Sequence, residues 1–356
     1  MTGEIQRYPA PAVERFIASA FVALDVPQDD AETVAGLMVK ADLYGYDTHG
    51  SFRLRQYVDR LRDGGTNPRA RITVAAEKGA TAVVDGDNGL GHLAMRAATN
   101  LAIRKAKSEG IGWVGVRNGN HAGPASIYVT SAVEQDMIGI YGAVGSANHV
   151  PPFGGSDLLL GTNPIAIAVP AGKSAPFVLD MATTVAAVGK IKSLAQRGEA
   201  MPEGWMVGRD GKPLTDPEKR DDGFLLPIGG AKGYGLAMAL GLLAGTLNGA
   251  AFGKSVVDFT KDTRTATNTG QFIAAVSVEA FGDVEAFKAA ADAVFAEMRA
   301  SEPLPGHDPV RIPGEGRPGV YDDRCTNGIP LHPNLVKVLG SIAAELKIAE
   351  LGPETG

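Results

Sequence analysis

The chain has one cysteine, Cys325, in 356 residues. An internal disulfide is therefore impossible, and none of the Cys/His spacings of a structural zinc site occurs, so no metal is expected. There is no surplus of positive charge either: 34 Lys and Arg stand against 40 Asp and Glu, a formal net charge of −6, with the basic residues scattered. Nucleic acid is accordingly not an expected partner. No hydrophobic run reaches the length of a bilayer span; the longest, Gly235 to Ala251, is interrupted by Gly241, Gly245 and Asn248 and reads as a buried helix, so no membrane contact is expected. The opening MTGEIQRYPAPAVERF lacks a basic segment followed by an apolar one. No secretory signal is visible, and the cytoplasm is the expected location. Internal repeats and low-complexity tracts are absent too.

What is present is ordinary for a folded globular protein: 44% apolar and 21% charged residues. The length exceeds one usual core, which favours two units. The first 65 residues carry helical signals almost exclusively, with helices expected from about Val13 to Leu24, from Asp29/Asp30 as caps to near Tyr44, and from Ser51 to Arg62, stopped by Gly64-Gly65. From Arg71 the character changes. ITVAAE and TAVVDGD read as strands, followed by an Ala-rich helix from Leu93 to Glu109, Gly110 as its stop, and the strand IGWVGV. A helix from Ala125 to Asp136 and the strands MIGIYGAVG, PIAIAVP and APFVLDM extend the α/β pattern. Residues 196–222 read as a long surface excursion, QFIAAVSVEAF as a strand, Val284 to Arg299 as a helix, and the end from His332 to Leu346 as helix again. The helical ends can pack together as one discontinuous unit around the α/β middle.

Proton-moving chemistry on a small carboxylic acid requires a proton carrier, a cation for the carboxylate and a group that fixes the reacting carbon. The segment YGYDTHGSFRLRQY offers the first two. His49 titrates near neutrality when unperturbed, and Arg53, four residues on, shares its face if the helix begins near Gly50 and can grip a carboxylate bidentately. The competing reading makes Asp47 or Thr48 a helix cap and His49 an ordinary surface residue. His121, in RNGNHAGPA, follows a strand and precedes a helix, where α/β proteins place ligand contacts; an idle turn histidine is the alternative. The run GGAKGYG at 229–235 brings Lys232 and helix-start amides to one place, fit for a phosphate or simply for close helix packing. It is no P-loop, since Gly233 follows the lysine. GLGHLA at 89–94 approaches a dinucleotide fingerprint, but the next strand ends in Arg117-Asn118 rather than in an acid. Asp180 either bonds a ribose hydroxyl or caps the segment after its strand. GTNP at 161–164 reads as a turn, PGEG at 313–316 as a connector, His149 as a pocket-lining candidate, and His92, His307 and His332 as structural or solvent-exposed.

In their order, YGYDTHGSFRLRQY, NHAGPASIY, PPFGGSDLLLGTNPIAIAVP, FVLDMATT, GGAKGYGLAM, PGEG and RCTNGIP resemble one family across nearly the whole chain. It is the malate/L-lactate dehydrogenase family, unrelated to Rossmann-type dehydrogenases, which also includes sulfolactate, ureidoglycolate and diketogulonate enzymes and a cyclic imine reductase. The resemblance implies an α/β (α+β) fold with a central mixed, largely antiparallel sheet. Residues 71–316 would form a non-Rossmann NAD(P)-binding domain, and residues 1–70 and 317–356 a discontinuous helical one. It implies a homodimer, NAD or NADP as cofactor, and a small carboxylic acid as substrate. Position by position, His49 corresponds to the acid/base residue, Thr48 to its supporting serine, and Arg53 to the carboxylate clamp. His121 borders substrate and cofactor. His121, Ala122, Gly123, Pro124 and Ala125, then Thr162, then Asp180, Met181 and Ala182, then Ala231 and Lys232, and finally Pro313, Gly314 and Glu315 match segments that contact cofactor or substrate in relatives; His149 is added on the substrate side.

The chain departs from the pattern at three places. No lysine stands shortly before PFGG, where the chain reads GSANHVPPFGG, which argues against ureidoglycolate; Val188 stands where many malate and lactate members have an arginine, which argues against plain malate; and Thr48 replaces serine. The reaction expected is hydride transfer between NAD(P) and a 2-hydroxy or 2-oxo acid. Its alternatives are reduction of a cyclic or N-alkyl imine acid and, from another class, a phosphometabolite-binding protein built on GGAKGYG.

Overall fold

The computed structural model describes residues 5–352. At the amino end, a short strand β1 (Gln6–Tyr8) leads into helices α1 (Ala10–Val22) and α2 (Gln28–Leu43). Pro27, not an aspartate, occupies the N-cap of α2; Asp29 and Asp30 lie in its first turn, where their charges face the positive end of the helix dipole. After a tight turn, one turn of 3-10 helix (Ser51–Arg53) runs into α3 (Leu54–Arg62).

The central sheet then opens with β2 (Thr73–Lys78) and β3 (Thr81–Asp85). Helix α4 (Gly91–Glu109) crosses to β4 (Ile111–Gly119), and Gly110 ends that helix at a φ of 80° that β-carbon-bearing residues rarely adopt. Helix α5 (Ser126–Val133) precedes β5 (Met137–Ala143), β6 (Ile165–Val169) and β7 (Phe177–Met181). Next come α6 (Val188–Arg197), a two-stranded ribbon of β8 (Met206–Gly208) and β9 (Gly223–Leu225), and α7 (Ala231–Ala244). Strand β10 (Thr269–Ser277), α8 (Val284–Arg299), α9 (Arg317–Asn327), β11 (Ile329–Leu331) and α10 (Pro333–Leu346) complete the order.

The seven strands lie in the order β2-β3-β4-β10-β5-β6-β7. Every neighbouring pair is antiparallel except β3 and β4, the one pair joined by a crossover helix. The late strand β10 inserts between β4 and β5 and is buried almost along its length. Helices approach the sheet closely because small residues face them: a β-carbon on Gly139 would stand 2.5 Å from the Val129 carbonyl oxygen of α5.

Two large apolar clusters result. One joins Phe16, Ile17, Phe21, Met38 and Leu54 from the amino end to Leu339 and Ile342 from α10, while β1 pairs with β11. The other fills the space between the sheet and α4 and α5, with Met95, Val114, Tyr128 and Ile273 at its centre. Leu90 and Phe259, from the α/β middle, complete the first cluster. The site lies where these clusters meet.

Candidate active site

The turn between α2 and the 3-10 helix carries the first histidine. The His49 amide donates to the Tyr46 carbonyl at 2.8 Å, and the Arg53 amide to the Gly50 carbonyl at 2.9 Å, which brings the two side chains together. Neither Asp47 nor Thr48 caps the helix. Buried Asp42 accepts the Ser51 amide at 2.9 Å instead, and burial lifts its carboxyl to about 7 against that hydrogen bond. Thr48 Oγ1 lies 2.8 Å from His49 Nδ1, so the hydroxyl steers the ring. Arg53 donates through Nε to the Thr48 carbonyl at 2.8 Å and through Nη1 to Gln56 at 2.7 Å. Among the described residues no carboxylate pairs with it, and Nη2 has no protein acceptor.

Helix α9 holds this turn from behind. Arg324 donates to the Asp42 carbonyl at 2.5 Å and pairs with Asp47, and Arg317 Nη1 reaches the carbonyls of Tyr44 and Gly45, each at 3.0 Å. These donors reach carbonyls at the end of α2 and in the turn just past it.

His121 comes from the loop after β4. Its ring stacks on His49 with centroids 5.7 Å apart, and Nδ1 lies 2.6 Å from the Tyr57 hydroxyl. Asn120, 1% exposed, fixes the loop: its Nδ2 donates to the carbonyls of Asn88 and Gly89, and its Oδ1 accepts from Thr267. Gly91, in the stretch that resembles a dinucleotide fingerprint, has a different task. A β-carbon there would fall 2.1 Å from the Asn120 carbonyl oxygen and 2.6 Å from that of His121, so the glycine makes room for the histidine loop.

Both histidines are neutral near pH 7. Burial, then the Arg53 charge, pulls His49 down to about 4, and burial followed by Arg53, His49 and His92 holds His121 well below its usual range. His92 was expected to be structural or exposed. It is fully buried behind Tyr57, ring centroids 5.4 Å apart, with neither nitrogen hydrogen-bonded.

Hydrogen bonds link the remaining candidates along one side of the sheet. Asp180, on β7, accepts the Ser126 amide at 2.9 Å and so ties Met181 and Ala182 to the segment Ala122, Gly123, Pro124, Ala125. The Thr162 carbonyl accepts from Thr183, whose own carbonyl accepts from Ile228 just before Ala231 and exposed Lys232 in the first turn of α7. Pro313 accepts the Val178 amide, Gly314 lies against Val178, and Glu315 pairs with Arg299. A cavity of about 150 Å³ opens beside them, lined by Tyr44, Tyr46, Ser126, Val178, Gly314 and Arg317. A larger hollow of about 380 Å³, between α6 and residues 215–218, holds none of these groups. The backbone of His149 bonds Leu160 and Leu225, in the loop leading to Thr162 rather than at the histidine pair.

Sequence reasoning missed Tyr57, Asn120, Asp42, Arg317 and Arg324. Only Tyr57 left a trace, four residues after Arg53 on the same helix face.

The chain as a whole is similar to known dehydrogenases. The chain is 41% identical over 333 residues to the L-sulfolactate dehydrogenase of Methanocaldococcus jannaschii, spanning 94% of this chain and 95% of the relative. It is 37% identical over 353 residues to the malate dehydrogenase of Pyrococcus horikoshii, covering 97% of each. The solved sulfolactate dehydrogenase superposes with a TM-score of 0.89 over 96% of this chain and 98% of its own. The Δ1-piperideine-2-carboxylate reductase of Pseudomonas syringae does so with a TM-score of 0.83 at 28% identity, over 95% of this chain and all of that one. The fold and its relatives thus define an oxidoreductase on a largely antiparallel sheet. The chain belongs to the malate/L-lactate dehydrogenase family, whose model matches residues 8–340.

Proposed function

We propose that the protein is an NAD(P)-dependent oxidoreductase that interconverts a small 2-oxo acid and its 2-hydroxy acid. One observation carries this reading: a cation without a carboxylate partner, Arg53, acts on two neutral, stacked imidazoles. Such a site lacks an anion. A substrate carboxylate on Arg53 offsets the charge that, after burial, depresses both histidines, so His49 gains some basicity as the acid binds and can carry the proton to or from the substrate oxygen. Thr48 orients His49, and His121 closes the opposite side. Thr162 and His149 belong to the substrate side of this reading.

The residues present fit a dinucleotide. Asp180 offers a carboxylate to a ribose hydroxyl, and Lys232 at the start of α7 offers positive charge to phosphate. Residues 122–125, 181–182, Ala231 and 313–315 supply close backbone. When bound, the nicotinamide supplies or accepts the hydride; the chain's own task is to hold the acid and move the proton.

Two departures from the family pattern converge on one wall. The Thr48 methyl group faces Gly189, where a β-carbon would be 3.4 Å away, and Val188 beside it packs into an apolar cluster with Val150 and Ile191. That wall suits an uncharged or small substituent better than a second carboxylate. The similarity to a piperideine carboxylate reductase supports one further reading, reduction of a cyclic imine acid, because the same clamp serves C=N as well as C=O.

The test is consumption of NADH and of NADPH against pyruvate, oxaloacetate, sulfopyruvate and cyclic imine acids. Turnover of a 2-oxo acid is expected, abolished by His49→Ala with cofactor affinity retained. A protein that binds neither cofactor sinks the proposal.

A further inference from the structure

Helix α3 does more than carry Arg53. Its next positions on the same face are Tyr57 and Arg60, four and seven residues on, both essentially inaccessible to solvent. Tyr57 is wedged edge-on between Phe21, His92 and Phe259, with ring centroids 6.4, 5.4 and 5.9 Å away, so its hydroxyl has little freedom to turn from His121. Phe259 lies against the His121 ring at 5.6 Å. Arg60 ties the loop that bears it to the end of α3, donating to the carbonyls of Thr265 and Gly65 at 2.7 and 2.8 Å and lying over the Phe259 ring at 4.8 Å.

We propose that Tyr57 is a positioning residue that fixes the tautomer of His121, donating its hydroxyl hydrogen to Nδ1 and leaving the ring proton on Nε2. The deciding contact is a second donor at the same nitrogen. The Gly123 amide points at Nδ1 from 3.4 Å, and an amide N–H cannot accept; a proton on Nδ1 would face that hydrogen. Nδ1 is therefore the acceptor, and the 2.6 Å contact is a phenol donating to it. Burial keeps the phenol protonated far above neutral pH. His121 then presents a donor, Nε2–H, to whatever occupies the site, suited to a carbonyl or alkoxide oxygen and ill suited to an ammonium. The assignment of that donor to a substrate rests on the function proposed above; the tautomer itself does not.

The experiment uses the full chain labelled with 15N in its histidines, with His121 identified by a His121→Gln control. Two-bond proton–nitrogen correlation spectra separate bare from protonated ring nitrogens without any substrate. The wild type is expected to show bare Nδ1 and protonated Nε2, and Tyr57→Phe to shift the population toward the other tautomer. A turnover assay of the same variant should show kcat lowered about tenfold, the scale of one supporting hydrogen bond, with cofactor affinity unchanged. A wild-type His121 protonated at Nδ1 overturns the proposal whether or not the variant folds, as does a Tyr57→Phe spectrum identical to wild type. A purely structural tyrosine would lower the melting temperature and leave the nitrogen shifts in place. If the tautomer moves as expected but no oxo or imine acid is turned over, the positioning role stands and the functional reading falls.

Discussion

At the scale of single residues, the site is governed by what burial does to histidine. A histidine in water changes charge near pH 6.5, yet His49 and His92 are held at about 4 and about 3. For His49 part of the depression comes from Arg53, and on the proposed function an arriving carboxylate would remove that part. For His92 the cause is burial alone. The unfolded chain takes up a proton below pH 6.5 that the native ring refuses until about pH 3, so the stability conferred by a neutral His92 is complete above 6.5 and falls as pH drops across that window. The slope is about 1.4 kcal/mol per pH unit for one such group. Replacing His92 by leucine should therefore shrink the loss of unfolding free energy between pH 7 and pH 5 by about 2 kcal/mol, measured by urea denaturation at both pH values. An unchanged difference would mean that the folded protein protonates His92. The sequence left this burial open, with His92 expected to be structural or solvent-exposed, because its environment is built by Tyr57 and by Gly123, distant in the chain.

At the scale of elements, legibility in the sequence depends on which faces are buried. Helix α8 was legible from 284 to 299 because Asp283 caps it and its apolar residues recur at helical spacing. Helix α9 was not, because none of its residues is buried and so no periodicity marks it, although its two arginines hold the turn that bears His49. Strands β1 and β11 are three residues each, too short for alternation to show. Strand β10 was found as a strand, but its central place in the sheet is a matter of topology that local pattern does not encode. His49, Arg53 and His121 were legible as chemistry-bearing side chains at element ends; the groups that fix them come from other elements and were not. Gly91 separates two readings of its segment. A phosphate loop would need the glycine for ligand approach, whereas here it clears the carbonyls of Asn120 and His121. Gly91→Ala should displace that loop, costing about 1–3 kcal/mol of stability and lowering kcat more than it raises the cofactor's Kd. A rise in Kd alone, with kcat intact, would favour the phosphate-loop reading. Thermal melts and cofactor titration of the one variant provide both numbers.

At the scale of the whole molecule, α7 carries an unusual amount of exposed apolar surface. It is apolar on every side, a composition that belongs to a helix covered all round. Only Gly233, Ala237, Leu240, Gly241 and Ala244 are buried, while Met238, Leu242 and Leu243 are 38–43% exposed and Leu247, just past its end, 63%. Phe153, 63% exposed, extends the patch to the start of the helix, where its ring approaches Gly230. Isolated surface leucines need no explanation, but a contiguous group of this kind marks an interface. We propose that a second copy covers it in a homodimer, the two α7 faces meeting about a twofold axis. Since Lys232 stands in the first turn of the same helix, the interface and the proposed phosphate contact share one rigid element. Leu242→Glu combined with Leu247→Glu should convert the dimer to a monomer of about 36.9 kDa by light scattering, with the far-ultraviolet spectrum preserved. Cofactor affinity should fall with it, because the helix start then loses the support of the partner. A wild-type chain that already runs as a monomer would overturn the homodimer, and a double variant that stays dimeric would place its contact elsewhere; either leaves the exposed face of α7 to another occupant.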